Sequence, residues 1–288
     1  MSAISFYQTI FQQYGKSLQE GEWPLPDPGN PDFNLDIGLD PSMSSSGICL
    51  VLRRQDNILA CRTLNHKTPP TDPSPIRLGS LTDAVQGLIA DILGPIPPCS
   101  IHITILFEIP PTHMAASGWL YALSQLIWLG FGPDAPIFMD LVEQGFDLTI
   151  HQIGVGNTQL KHLYLLWANR FSLGLEFKEI SKKKSAVVKI VNHIIDMTSL
   201  RAYLPKRFNN DVAEAIALAM CAGGCSRMDS FTSHPPTAPY APVSMEDLHL
   251  LMTNTKANSH NEKTGWIFRP LTYCFGWSTK VFRINSPV

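Results

Sequence analysis

The sequence predicts an α/β protein in which helices flank a mixed β-sheet. Three observations lead to this prediction. Residues 35–64 hold three short apolar segments separated by turn-forming residues, as consecutive antiparallel strands do. Residues 101–107 (IHITILF) are a continuous apolar run of the kind found in buried strands. Most later segments up to residue 222 place apolar residues at helical spacing.

The first predicted element is a hairpin formed by LDIGLDPSMSSSGICLVL at residues 35–52. An apolar run at 37–39 leads to Asp40, small residues form a turn at 41–47, and a second apolar run follows at 48–52. Residues 58–64 are predicted to add a third strand, antiparallel to its neighbour. The chain therefore begins its sheet with three antiparallel strands and continues it through 101–107.

The remaining elements are predicted from periodicity and from helix start and stop signals. Ser80 or Thr82 is expected to cap the first core helix, and Gly145 is expected to end a later one. Strands are also expected at 148–153, 175–180 and, more loosely, 266–284. Helices are expected at 1–16, 80–93, 115–129, 137–144, 159–171, 183–197, 211–222 and 245–252.

Composition divides the chain into three parts. Residues 1–33 hold an amphipathic helix and a proline-rich connector, 34–225 hold the predicted α/β domain, and 226–288 form a linker and C-terminal extension. The net charge of −2 argues against broad, non-specific nucleic-acid binding. The charge is unevenly distributed, because residues 161–207 hold ten Lys or Arg against three acidic residues. One face of the domain is therefore predicted to be basic.

The location of the protein is predicted from what the sequence lacks. Residues 109–133 contain no charged side chain, but their dense apolar part at 119–131 is short for a membrane span, so a buried helix is expected. None of the six cysteines forms a CxxC pair, and the first fifteen residues lack the pattern of a signal peptide. These features predict an intracellular, cytoplasmic protein without a membrane partner.

Four acidic residues lie at the ends of predicted elements: Asp40, Glu108, Asp211 and Glu214. Each has a simple structural explanation. Asp40 could cap its turn, Glu108 could be a solvated strand end, and the last two could complement a helix dipole. Together, four converging carboxylates would repel one another unless a cation joined them. Two Mg²⁺ ions would make such a set a site for phosphodiester hydrolysis, with one ion activating water and the other stabilising the leaving oxygen.

The same stretches resemble the motifs of RuvC-type Holliday junction resolvases, which belong to the ribonuclease-H-like superfamily. LDIGLDPSMSSSGICLVL resembles their first strand–turn–strand, and ITILFEIPP resembles their second motif, a strand that ends in Glu. NNDVAEAIALAMCAG resembles their last motif, a helix that opens with two acids three residues apart. The motifs occur in the family's order and span roughly residues 34–224, and the longer chain is similar to divergent or phage-type members.

The resemblance implies a ribonuclease-H-like fold and a homodimeric, Mg²⁺-dependent endonuclease that cuts branched DNA such as four-way junctions, with Mn²⁺ as a possible substitute. It assigns catalysis and metal binding to Asp40, Glu108, Asp211 and Glu214. The fourth position is usually Asp in the bacterial enzymes, so Glu214 is a departure that lengthens one ligand by a methylene.

The basic segment supplies candidate DNA contacts. Lysines in this region of RuvC-like proteins approach the scissile phosphate, which makes Lys161, Lys182, Lys183 and Lys184 the corresponding candidates. Basic residues at helix starts are natural phosphate ligands, although they are equally typical of solvated helix ends. Two alternatives to the resolvase remain open at this point. One is a non-cleaving nucleic-acid-binding or assembly subunit, and the other is a nuclease of the RNA–DNA hybrid or transposase type.

Overall fold

A computed structural model of the chain describes residues 31–42, 44–54, 57–69, 71–72, 74–109, 127, 130–132, 134–182, 184–228 and 277–284. The predicted helices at 1–16 and 245–252 lie outside these residues. The predicted helix at 115–129 also lies outside them, except for residue 127.

A mixed sheet of six strands in the order β3-β2-β1-β4-β5-β6 forms the centre of the described structure. The strands are β1 (Phe33–Asp40), β2 (Ser45–Arg54), β3 (Asn57–Lys67), β4 (Ser100–Ile109), β5 (Asp147–Gly156) and β6 (Trp277–Ile284). The first three strands are antiparallel, β1, β4 and β5 are parallel, and β6 returns antiparallel to β5. The predicted arrangement, three antiparallel strands followed by parallel ones with helices on both faces, is confirmed.

The helices match most of the predicted ones within a few residues. They are α1 (Ser74–Leu93), α2 (Pro136–Glu143), α3 (Asn157–Arg170), α4 (Phe177–Lys182), α5 (Lys184–Asp196) and α6 (Asn210–Met228), with a 3-10 helix at Ser199–Tyr203. Gly145, with φ of +98°, follows α2 as expected.

Two predictions about local structure are wrong. The strand expected at 175–180 is instead largely helix α4, in which Ile180 packs into the core, and the segment pairs with none of the described strands. Helix α1 begins at Ser74, so Ser80 and Thr82 both lie inside it and neither caps it. The Ser80 hydroxyl donates to the carbonyl of Arg77 one turn earlier, as serine side chains inside helices often do.

Each face of the sheet has its own hydrophobic core. One core joins the sheet to α1 and α2, and the other joins it to α3, α5 and α6. Because β1 and β4 are central and covered on both faces, residues 35–40 and 101–107 are buried without interruption. None of the described helices is both long enough and apolar enough to cross a membrane.

Helix α6 lies unusually close to strands β1 and β2. A Cβ atom on Gly38 would lie 2.0 Å from the Ala215 carbonyl oxygen, and one on Gly47 would lie 1.9 Å from the Asp211 carbonyl oxygen. Both positions therefore admit only glycine with the helix where it is. The small residues of α6 allow this approach from the other side, and the contact fixes where the acidic start of α6 lies relative to the strand ends.

Candidate functional site

The site begins at the carboxyl ends of two neighbouring parallel strands. β1 and β4 pair in register through Leu39 and Phe107, so Asp40 and Glu108 leave the sheet side by side. Residues at these positions share one face of the sheet, the one that α6 covers. Strand pairing alone therefore places the first two predicted acids next to each other.

The start of α6 brings the third acid to the same place. Asn209 caps the helix by accepting a hydrogen bond from the Val212 amide at 3.0 Å, and the helix begins at Asn210. Glu214 lies in the next turn and accepts a 3.2 Å hydrogen bond from the Asn210 amide. Asp40, Glu108 and Glu214 each offer one carboxylate oxygen such that all three oxygens lie within 4.8 Å of one another.

The electrostatics of this group are unfavourable in the absence of a cation. Burial, and then the charges of Glu214 and Glu108, raise the pKa of Asp40 well above its usual value. The proximity of the Glu214 side chain and the charge of Asp211 add to this shift. Burial also raises the pKa of Glu108 to about 7, although a hydrogen bond from Asn157 opposes the rise.

Asp211 lines the same cleft but is not one of the three clustered carboxylates. Its Oδ2 accepts a 2.6 Å hydrogen bond from the Ser45 hydroxyl, and its Oδ1 lies 3.4 Å from the Lys184 ammonium. Both oxygens therefore have partners on other elements. Helical spacing correctly predicted that Asp211 and Glu214 share one face of α6. The bonds to Ser45 and Lys184 nevertheless direct the Asp211 carboxylate away from the other three carboxylates.

The lysines lie around the carboxylates in an open cleft of about 370 Å³. Lys161, Lys182 and Lys184 line it, whereas Lys183 lies outside the described residues. Partial burial acts to lower the pKa of Lys184, but Asp211 and then Glu214 outweigh it and raise that pKa. The cleft is thus lined by both carboxylates and lysine side chains.

Sequence reasoning missed three residues near the carboxylates: Asn157, Ser45 and Tyr164. Asn157 begins α3 and shares a helix face with Lys161 one turn later and with Tyr164 beyond it. The Tyr164 hydroxyl is buried without a hydrogen-bond partner among the described residues. Burial, followed by the charges of Glu214 and Glu108, raises its pKa well above the usual value. The spacing of 157, 161 and 164 was the available signal, because Lys161 was already a candidate.

The donor set fits a hard divalent cation. Carboxylate oxygens are the ligands that Mg²⁺ and Mn²⁺ prefer, and three of them within 4.8 Å are close enough to share one ion or two adjacent ones. Burial and the neighbouring acids raise the pKa values of Asp40 and Glu108, and a bound cation would favour the charged forms of both. The arrangement can therefore hold metal at the floor of a cleft whose rim attracts phosphate.

Comparisons with known proteins gave structural neighbours only. No family model and no curated protein matches the sequence. Among solved structures, the chain is similar to Thermus thermophilus RuvC in complex with a Holliday junction substrate, at 16% identity and a TM-score of 0.33, over 68% of this chain and 95% of that one. It is also similar to a second Thermus thermophilus RuvC structure, at 19% identity and a TM-score of 0.32, over 68% and 96% of the two chains. Both TM-scores are below 0.5, so the likeness carries no functional weight beside the site itself.

Proposed function

We propose that this chain is a divalent-metal-dependent endonuclease that hydrolyses phosphodiester bonds in branched DNA such as four-way junctions. The observation that carries the proposal is the cluster of Asp40, Glu108 and Glu214, whose oxygens lie within 4.8 Å of one another in a lysine-rimmed cleft. The motif resemblance selects the DNA nuclease from among the enzymes that could use such a cluster.

The acidic residues would bind Mg²⁺, with Mn²⁺ as a substitute. When bound, two such ions supply an activated water and stabilise the leaving oxygen of an in-line displacement. Asp40, Glu108 and Glu214 would provide the first metal-binding carboxylates. Asp211 would become a further ligand once its oxygens no longer bind Ser45 and Lys184.

The lysines would bind and orient the DNA backbone. Lys161 and Lys184 lie within the electrostatic reach of Glu108, so a phosphate that they bind is held near the carboxylates. Lys182 adds to this basic surface at the end of α4, and we propose the same role for Lys183 from its position in the sequence. Because Lys184 also pairs with Asp211, an incoming phosphate competes with Asp211 for the same cation.

We assign this activity to residues 34–225, with 1–33 and 226–288 as additions. We also propose that the active form is a homodimer, because two active sites can cut both strands across one junction. Light scattering coupled to size-exclusion chromatography tests the dimer. A monomer at micromolar concentration would refute it.

The test is cleavage of end-labelled four-way junction, flap and RNA–DNA hybrid substrates with Mg²⁺. Asp40→Asn and Glu214→Gln are expected to lower kcat by at least about 100-fold, because each removes a charge that binds the metal. Glu143→Gln, the same change at an exposed position on α2, is the matched control and should cut like the wild type. EDTA should abolish cleavage by all of them.

Two outcomes would contradict the proposal. Junction binding without cleavage of any substrate would identify a non-cleaving nucleic-acid-binding subunit. Cleavage of the hybrid alone would identify a nuclease with a different substrate on the same fold.

A further inference from the structure

The end of strand β5 places Asn157 next to the carboxylate cluster. β5 runs parallel to β4 and pairs Val155 with Glu108 and Gly156 with Ile109. The chain then turns into α3, whose first residue is Asn157. Its side-chain amide donates a 2.5 Å hydrogen bond to Oε1 of Glu108, and both residues line the cleft.

The turn that carries Asn157 is tightly packed. A Cβ atom on Gly156 would lie 2.2 Å from the Oε1 atom of Gln159, a side chain that is only 7% exposed. The backbone before Asn157 is therefore held against a buried side chain. A donor on a fixed backbone is well suited to set the direction of a flexible partner.

Glu108 needs such a partner. Its carboxylate has three side-chain torsions between it and the backbone, and it lies among charges of the same sign on Asp40 and Glu214. Repulsion favours rotation of Glu108 out of the group. The bond from Asn157 opposes this rotation by holding Oε1 of Glu108.

We propose that Asn157 is a positioning residue that fixes Glu108 for divalent-metal binding. The inference rests on the metal site of the proposed function and assigns it a supporting residue outside the acidic set. Partners of this kind orient metal-binding carboxylates in general, and their removal typically weakens metal binding by about 10- to 100-fold.

The experiment measures Mn²⁺ binding to the full chain without DNA, by isothermal titration calorimetry. Asn157→Ala removes the donor and is expected to weaken binding by about 10- to 100-fold. Asn157→Gln keeps an amide one methylene further out and is expected to recover part of the loss. Asn169→Ala, at an exposed position near the other end of α3, is the matched control and should bind like the wild type.

Two further readouts separate positioning from a general effect on folding. The metal-free Asn157→Ala chain should melt within about 2 °C of the wild type, because the change is at a helix start and creates no buried cavity. In the cleavage assay kcat should fall, while KM for the junction should stay within about twofold, since Asn157 acts on the metal site and not on DNA binding.

Equal Mn²⁺ affinity in the wild type and in Asn157→Ala would overturn the proposal. So would an affinity of Asn157→Gln no better than that of Asn157→Ala, because the loss would then follow side-chain shape and not the donated hydrogen bond. A wild-type chain that binds no Mn²⁺ at millimolar concentration would refute both this inference and the nuclease. Binding that depends on Asn157 without any DNA cleavage would refute the nuclease alone.

Discussion

Substitution of Gly38 by alanine should damage the site from a distance, through the position of α6. The new methyl group would lie 2.0 Å from the Ala215 carbonyl oxygen and 2.4 Å from the Ala219 nitrogen, both of which are helix backbone. A normal contact needs roughly 3.5 Å, so the helix must retreat by about 1.5 Å. Glu214 precedes Ala215 directly and moves with it, which opens the carboxylate cluster.

The size of the effect follows from this displacement. Overpacking of a close contact typically costs about 1–3 kcal/mol, which lowers Tm by about 2–4 °C per kcal/mol in a domain of this size. A shift of about 1 Å in a catalytic group typically lowers the rate by about 100-fold. Thermal unfolding followed by circular dichroism measures the first effect, and Mn²⁺ titration together with junction cleavage measures the second.

Gly87→Ala is the matched control for this substitution. Gly87 is an exposed residue inside α1, and a Cβ atom added there would meet nothing within 4 Å. Alanine is the better helix former by about 1 kcal/mol, so Tm should stay the same or rise. If Gly38→Ala melted like the wild type and bound Mn²⁺ equally well, α6 would not be held in place by this contact and the reasoning would be wrong.

Three other changes test the energetics of buried polar groups. Because the pKa of Glu108 is about 7 in the folded protein against an ordinary 4.5, the folded state retains this proton at a pH where the unfolded chain has lost it. The metal-free protein should therefore lose about 3 kcal/mol of stability from this group as pH rises through this range, and urea unfolding in EDTA should show a smaller pH-dependent loss for Glu108→Gln, in which only Asp40 still contributes. Arg53→Met should cost about 3–5 kcal/mol by urea unfolding, since it leaves the buried Asp36 without its ion-pair partner, and adding Asp36→Leu should recover part of that loss. Tyr164→Phe should leave Tm unchanged or raise it, because it removes a buried hydroxyl that has no partner in the described structure; a fall of several degrees would show that the hydroxyl has one.

The sequence was sufficient for the parts of the site that depend on regular structure. Asp40 and Glu108 follow apolar runs, and parallel pairing of those strands brings the two acids together. Glu214 follows from helical spacing. Asp211 could not be resolved in the same way, because its orientation is set by Ser45 on strand β2, and contacts between residues distant in sequence leave no local pattern.

Short elements and those stabilised mainly by tertiary contacts were also beyond sequence reasoning. Helix α4 has only six residues, too few for a helical period to be distinguished from strand alternation, and the packing of Ile180 against the α5–α6 core determines its structure. The close contact at Gly38 was equally hidden. A glycine between Ile37 and Leu39 suggests a close approach by some backbone, but nothing local identifies that backbone as α6.

The direction of the pKa shifts decides between the two explanations of Asp40. A carboxylate that caps a turn accepts backbone N–H groups, and such bonds lower its pKa. The Ser42 amide in this turn donates instead to the Ser46 hydroxyl, and the pKa of Asp40 is raised, first by burial and then by Glu214 and Glu108. An acid in that state destabilises the metal-free protein near neutral pH, so local stability does not account for its presence. A bound cation would attract the carboxylates that repel one another and would offset the loss of their hydration on burial. The unfavourable electrostatic energy of these buried carboxylates without a metal ion is therefore the physical reason to expect one at Asp40, Glu108 and Glu214.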